Sequence, residues 1–145
     1  MGNIWAANTL LGIEVDEDIH AKKSQQAYLD HSAVTAERLM AQYPNCKAVA
    51  NTFRFDKGEA GLNYFTSLHT EGRQYLSQKY EADSTINKVG SGDCFMGGLI
   101  YGFIQNHPPQ QVIDFATSAA FGKLQEDGDT TNQQIETIQQ RIKNG

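Results

Sequence analysis

Apolar residues recur at helical spacing over most of this chain and crowd into short alternating runs in its middle. Asn3 to Gly12 reads as a short helix, with Trp5 or Ala6, Leu10 and Leu11 on its apolar side and Gly12 closing it. Ile13 to Lys23 passes from acidic to basic and reads as a surface loop. Between Ser24 and Tyr43 the positions Leu29, Ala33, Ala36, Met40 and Tyr43 alternate intervals of four and three. That is the stripe of an amphipathic packing helix, ended by Pro44-Asn45. Cys46 to Phe55 is a compact run of small and apolar residues suited to a buried strand. From Gly58 to Tyr80, aromatic and β-branched residues separated by glycine break into Gly61–Ser67, Gly72–Leu76 and Gln78–Tyr80, strands joined by tight turns. His69 falls in one of those turns and has no partner at metal-binding spacing.

The remainder is helical. After Gly92 an apolar helix runs to about Asn106, with Phe95, Leu99 and Phe103 on one side and Met96 and Ile100 beside them. Its interior glycines Gly97, Gly98 and Gly102 each cost roughly 1 kcal/mol against Ala. Such a cost is tolerated where another backbone or a ligand comes close. His107-Pro108-Pro109 stops this helix, and Pro109 suits the first turn of the next, which carries Val112, Phe115, Ala116, Ala119, Ala120 and Leu124. Glu126–Asp129 is a loop, and Thr131-x-x-Gln134 has the form of a capping box opening a last helix with Ile135, Ile138 and Ile142 on one side.

Composition narrows the class. At 145 residues, with 39% apolar and 20% charged residues, the chain is a modest globular domain able to bury a core. A net charge of -5 argues against nucleic acid or an anionic membrane as the main partner, so a phosphate ligand needs a local nest of amides or a metal. No apolar run approaches the roughly 18 residues of a membrane span, and Met1-Gly2-Asn3-Ile4-Trp5 lacks the basic start of a secretory leader. Cys46 and Cys94 have no Cys-x-x-Cys spacing, so a reducing cytoplasm is expected. Cys94 is either a thiol acidified at a helix start or a small buried filler.

The chemistry concentrates in Val89-Gly90-Ser91-Gly92-Asp93-Cys94-Phe95-Met96-Gly97-Gly98, a glycine-punctuated turn running straight into a helix. Gly90 and Gly92 allow successive N–H groups to converge, and the helix that follows presents its positive end to the same point. A phosphate fits such a place. Asp93 is a poor phosphate ligand and a plausible proton acceptor for an attacking hydroxyl; the plainer reading makes it an ordinary N-cap. The turn is neither a Walker A, which needs a Lys after its last glycine, nor a GxGxxG fingerprint.

Val89–Phe103 resembles the C-terminal signature of the ribokinase (PfkB-type) sugar kinases, usually Asp-Thr-x-Gly-Ala-Gly-Asp followed by a small or aromatic residue and a glycine pair. Within that family the 2-keto-3-deoxygluconate kinases have a basic residue before the Val and a Leu-Ile-Tyr-Gly helix, matched here by Lys88 and Leu99-Ile100-Tyr101-Gly102. Thr52-Phe53-Arg54 resembles the Thr-x-Arg that ends a strand in the same kinases, and Asn3 and Gly12 fall on an Asn-x-x-Glu and Leu-x-Gly stretch.

The resemblance implies the C-terminal, nucleotide-binding part (residues 1–145) of a three-layer α/β/α fold with a mostly parallel sheet, without the N-terminal sugar-binding portion and lid. It implies ATP and a sugar or sugar acid as substrates. Asp93 becomes the base, and the amides of Gly90, Ser91 and Gly92 the anion hole for the γ-phosphate. Thr52, Arg54, Ala116, Ala120 and Gly128 fall on nucleotide-binding positions, with Arg54 pointing into the crevice at a strand's C-terminal end. Mg2+ belongs to the same chemistry, but Ala6 stands where the family has Glu and Asn87 where it has Asp, so no residue is assigned as a metal ligand. Without the sugar-holding portion the chain is expected to be inactive alone, and to self-associate or join the missing portion. The alternative is a non-catalytic nucleotide- or phosphate-binding module or remnant.

Overall fold

The computed structural model describes residues 4–14, 24–58 and 61–144. Asn3 and most of the 13–23 loop lie outside them. The chain forms two compact units, one built from the chain up to Thr52 together with Ser67–Tyr75, the other from Phe53–Thr66 and everything from Leu76 onward.

The first unit holds α1 (Ile4–Leu11) and α2 (Gln25–Gln42). Gly12 ends α1 with its amide 2.9 Å from the Asn8 carbonyl. Ser24 caps α2 by accepting from the Ala27 amide. The buried stripe of α2 is Leu29, Ser32, Thr35 and Ala36, so two hydroxyls share it, while Tyr43 is exposed. Ser32 is satisfied there: Oγ donates to the Leu29 carbonyl at 2.8 Å and accepts from Gln74 Nε2 at 2.9 Å.

Four strands follow: β1 (Ala48–Lys57), β2 (Gly61–Thr70), β3 (Arg73–Leu76) and β4 (Tyr80–Ala82). They run in the order β1-β2-β3, with β4 also pairing β2. The expected mostly parallel sheet is not what forms: β2 and β4 are antiparallel, Leu62 opposite Ala82 and Tyr64 opposite Tyr80. Connections of three residues between β1 and β2 and of two between β2 and β3 are too short for the crossover that parallel neighbours require. The β2–β3 turn, Glu71 (φ 53) and Gly72 (φ 70), has the two positive φ values of a hairpin whose twist matches its strands. β2 also runs further than the sequence predicts, so His69 is a buried strand residue and not a turn residue.

The second unit is organised on α3 (Ser91–Ile104), α4 (Pro109–Lys123) and α5 (Ile135–Asn144). Phe95, Gly98, Leu99 and Gly102 form the buried side of α3. A Cβ added to Gly98 would stand 2.6 Å from Ala116 Cα, and one on Gly102 3.1 Å from Val112 Cα, so α3 and α4 meet backbone to backbone. Gly97 has nothing within 4 Å. Two of the three glycines in the interior of α3 therefore serve close approach. Ile138 of α5 joins Phe115 and Ala119 in a buried cluster, and Ser118 Oγ donates to the Ile138 carbonyl at 2.8 Å. The expected capping box does not form. α5 begins at Ile135, and Thr131 Oγ1 instead donates to the Glu126 carboxylate at 2.6 Å and accepts from the Gln133 amide at 3.2 Å.

Candidate functional site

The approach to α3 is held by its own side chains. Asn87 Oδ1 accepts from the Val89 amide at 2.9 Å, and the buried Ser91 donates through Oγ to the Lys88 carbonyl at 2.9 Å. Gly90, at φ 80, is the N-cap and offers no side chain to the helix start. The first helical bond runs from the Cys94 amide to the Gly90 carbonyl at 2.9 Å, so the amides of Ser91, Gly92 and Asp93 precede the ladder and have no intrahelical acceptor. They point out of the positive end of a 14-residue helix. Asp93 is not the N-cap of the plainer reading: it lies in the first turn, exposed, with Gly92 exposed beside it.

The other wall of the turn is the loop after α4. A Cβ on Gly90 would stand 2.0 Å from the Asp129 carbonyl oxygen, so only glycine admits this loop. The Gly128 carbonyl accepts from Asn87 Nδ2 at 2.8 Å and from Lys123 Nζ at 2.9 Å. Gly128, expected at a nucleotide-binding position, meets Asn87 and Lys123 through its backbone carbonyl. Lys123 escaped the sequence reading; its signal was a lone charge closing the apolar run Ala119-Ala120-Phe121-Gly122.

The remaining expected residues are dispersed. Arg54 lies in the middle of β1, exposed, and not at the end of a parallel strand. It shares a face with Asp56, whose carboxylate is 3.9 Å from Lys88 Nζ. Burial holds the hydroxyl of the buried Tyr64 well above the ordinary range, while Arg54 pulls it down and Cys94 adds to the rise. Thr52 belongs to the other unit and is half-buried. Ala116 and Ala120 are fully buried, Ala116 beneath Gly98, and offer no surface to a ligand here. Burial raises the Cys94 thiol despite the opposing pull of Lys123, which fits the filler and not the acidified nucleophile.

Magnesium does not fit the positions where the family holds it. Ala6 carries no donor atom, and the Asn87 amide is spent on Gly128 and Val89. Among the described residues no group of three or more His, Cys, Asp or Glu side chains gathers.

α3 thus opens without a side-chain cap and carries the exposed Asp93 carboxylate in its first turn. The pfkB family of carbohydrate kinases matches residues 21–136, and the chain belongs to that family. It resembles the 2-keto-3-deoxygluconate kinases within it. The crystal structure of 2-dehydro-3-deoxygluconokinase from Thermotoga maritima superposes with a TM-score of 0.83 at 29% identity, covering 97% of this chain and 40% of that one. A PfkB family carbohydrate kinase from Listeria grayi gives 0.72 at 21% identity, over 90% of this chain and 40% of that one. A nucleoside kinase from Burkholderia thailandensis, solved with inosine, gives 0.55 at 18%, over 82% and 37%. The chain therefore spans about two-fifths of the length of the structures it matches. No curated protein matches it by sequence. No helix among the described residues is long and apolar enough to cross a membrane.

Proposed function

We propose that this chain is the nucleotide-binding portion of a kinase that transfers phosphate from ATP to a hydroxyl of a sugar acid of the 2-keto-3-deoxygluconate class. The observation that carries the reading is the start of α3, where three amides without helical acceptors surround a turn that also exposes Asp93. The amides of the Gly90–Gly92 turn hold the γ-phosphate, and Asp93 takes the proton from the attacking hydroxyl. No step is assigned to magnesium. In the family resemblance the sugar is held by the portion this chain does not match, within the three-layer α/β/α fold and its lid. Transfer needs the hydroxyl positioned in line with the phosphoryl group, so the 145 residues bind ATP without turning over.

The test is ATP binding by the chain, followed by assay with 2-keto-3-deoxygluconate in the presence of the complementary portion of a family kinase. Asp93→Asn is expected to lower that turnover by roughly 10²–10⁴-fold, with ATP binding unchanged. Retained turnover removes Asp93 from the mechanism. A second reading, a phosphate- or nucleotide-binding module without catalysis, is favoured by Ala6 and Asn87. Binding without turnover under complementation selects it.

A further inference from the structure

Lys123 is fully buried at the end of α4, yet its charge meets no carboxylate within ion-pair distance among the described residues. An ammonium has three protons to donate. Two go to backbone carbonyls, Gly128 at 2.9 Å and Glu126 at 3.2 Å. Two acids of the same loop turn elsewhere: the Glu126 carboxylate accepts from Thr131 Oγ1 and the Asn132 amide, and that of Asp127 from the Gly128 amide. An ammonium balanced only by carbonyl dipoles leaves a positive charge that an anion placed beside it can complement.

The place for that anion is adjacent. Lys123 Cε is 3.3 Å from the position a Gly90 Cβ would take, so the side chain runs directly behind the turn that opens α3. Its charge reaches into the first turn of α3, where it opposes the upward push of burial on Cys94. Asn87 Nδ2, bonded to the same Gly128 carbonyl, fixes the loop that carries the ammonium's acceptors.

We infer that Lys123 is the phosphate-directed cation of this site, a buried charge behind Gly90 that holds the polyphosphate of a nucleotide at the Gly90–Gly92 turn. The inference rests on the phosphate site proposed above. It supplies the positive charge that neither the acidic chain nor the replaced metal positions provide.

Calorimetric titration of the 145-residue chain with ATP, inorganic tripolyphosphate and adenosine tests it. Lys123→Met keeps the length and removes the charge. Its affinity for ATP and tripolyphosphate is expected to fall about tenfold, as for the loss of a neighbouring opposite charge, with adenosine affinity unchanged. Lys123→Arg is expected to retain most of the phosphate affinity. Should Lys123→Met fail to fold, the wild-type Lys123 Cε–H resonance carries the test, shifting with tripolyphosphate and not with adenosine. Lys123→Met binding ATP like wild type, losing ATP and adenosine alike, or an unmoved resonance overturns the assignment and leaves a structural clamp. A wild-type chain that binds adenosine but no tripolyphosphate overturns the phosphate turn itself, and the assignment with it.

Discussion

The two faces of α3 are equally apolar in sequence and opposite in structure. On one, Phe95, Gly98, Leu99 and Gly102 are buried, and the helix touches α4 through bare backbone. On the other, Met96 at 36%, Phe103 at 43%, Ile100 at 51% and Ile104 at 70% exposure face solvent around Gly97. Binary pattern alone makes such a helix buried all round. The difference lies in glycine placement: Gly98 and Gly102, four apart, make a groove that Ala116 and Val112 fill, whereas an added Cβ on Gly97 meets nothing within 4 Å among the described residues. Among the described residues the helix thus has one packed apolar face and one exposed apolar face.

Substitution at adjacent glycines breaks or sharpens that contrast most. Gly98→Val puts branched carbon against the Ala116 backbone, where a Cβ already stands at 2.6 Å and cannot be accommodated by rotating a side chain. A loss of about 3 kcal/mol or more is expected, at or above the upper range for overpacked cores, read as the shift in urea midpoint. Gly97→Ala, one residue away in open space, is expected to stabilise by roughly 0.5–1 kcal/mol by removing backbone freedom from the unfolded chain. Two shifts of the same sign would show that α3 is not packed as described.

Next in size is Asn87→Asp, which restores the family's carboxylate. It keeps an acceptor for the Val89 amide but loses the donor to the Gly128 carbonyl and sets a negative oxygen against it. A destabilisation of roughly 0.5–1.5 kcal/mol is expected from the lost bond, with added magnesium failing to restore it. Recovery of the melting temperature by magnesium would show that Asn87 stands at a metal position after all.

These contrasts also mark what the sequence could reveal. Helices were legible because their apolar spacing and stops are local: Ser24, Pro44 and Pro109 bound α2 and α4 in the structure. The sheet's direction was not, because Ala48-Val49-Ala50 suits a buried parallel strand as well as a hairpin arm. The signal passed over was Phe53-Arg54-Phe55-Asp56, whose alternation of apolar and charged residues belongs to a half-covered antiparallel strand. The turn at Gly90–Asp93 was legible through its glycines and the family signature. Its second wall was not, since Lys123, Asn87 and Gly128 meet only through backbone carbonyls, which leave no trace in side-chain pattern.

The smallest effect on stability is expected on the outer face of α3, and it separates folding from association. Ile100 and Phe103 touch solvent in this chain, so Ile100→Lys with Phe103→Lys removes little native packing and is expected to change stability by no more than about 0.5 kcal/mol. Clustered apolar side chains on a surface favour association, and we expect the chain to self-associate through this face. Light scattering at matched concentrations is therefore expected to show oligomers for the wild-type chain and a 16.1 kDa monomer for the double variant. If instead the variant unfolds, the outer face is packed within the chain, and the division of α3 into a sealed and an open side is wrong. If both proteins are monomers, the open face is tolerated in water.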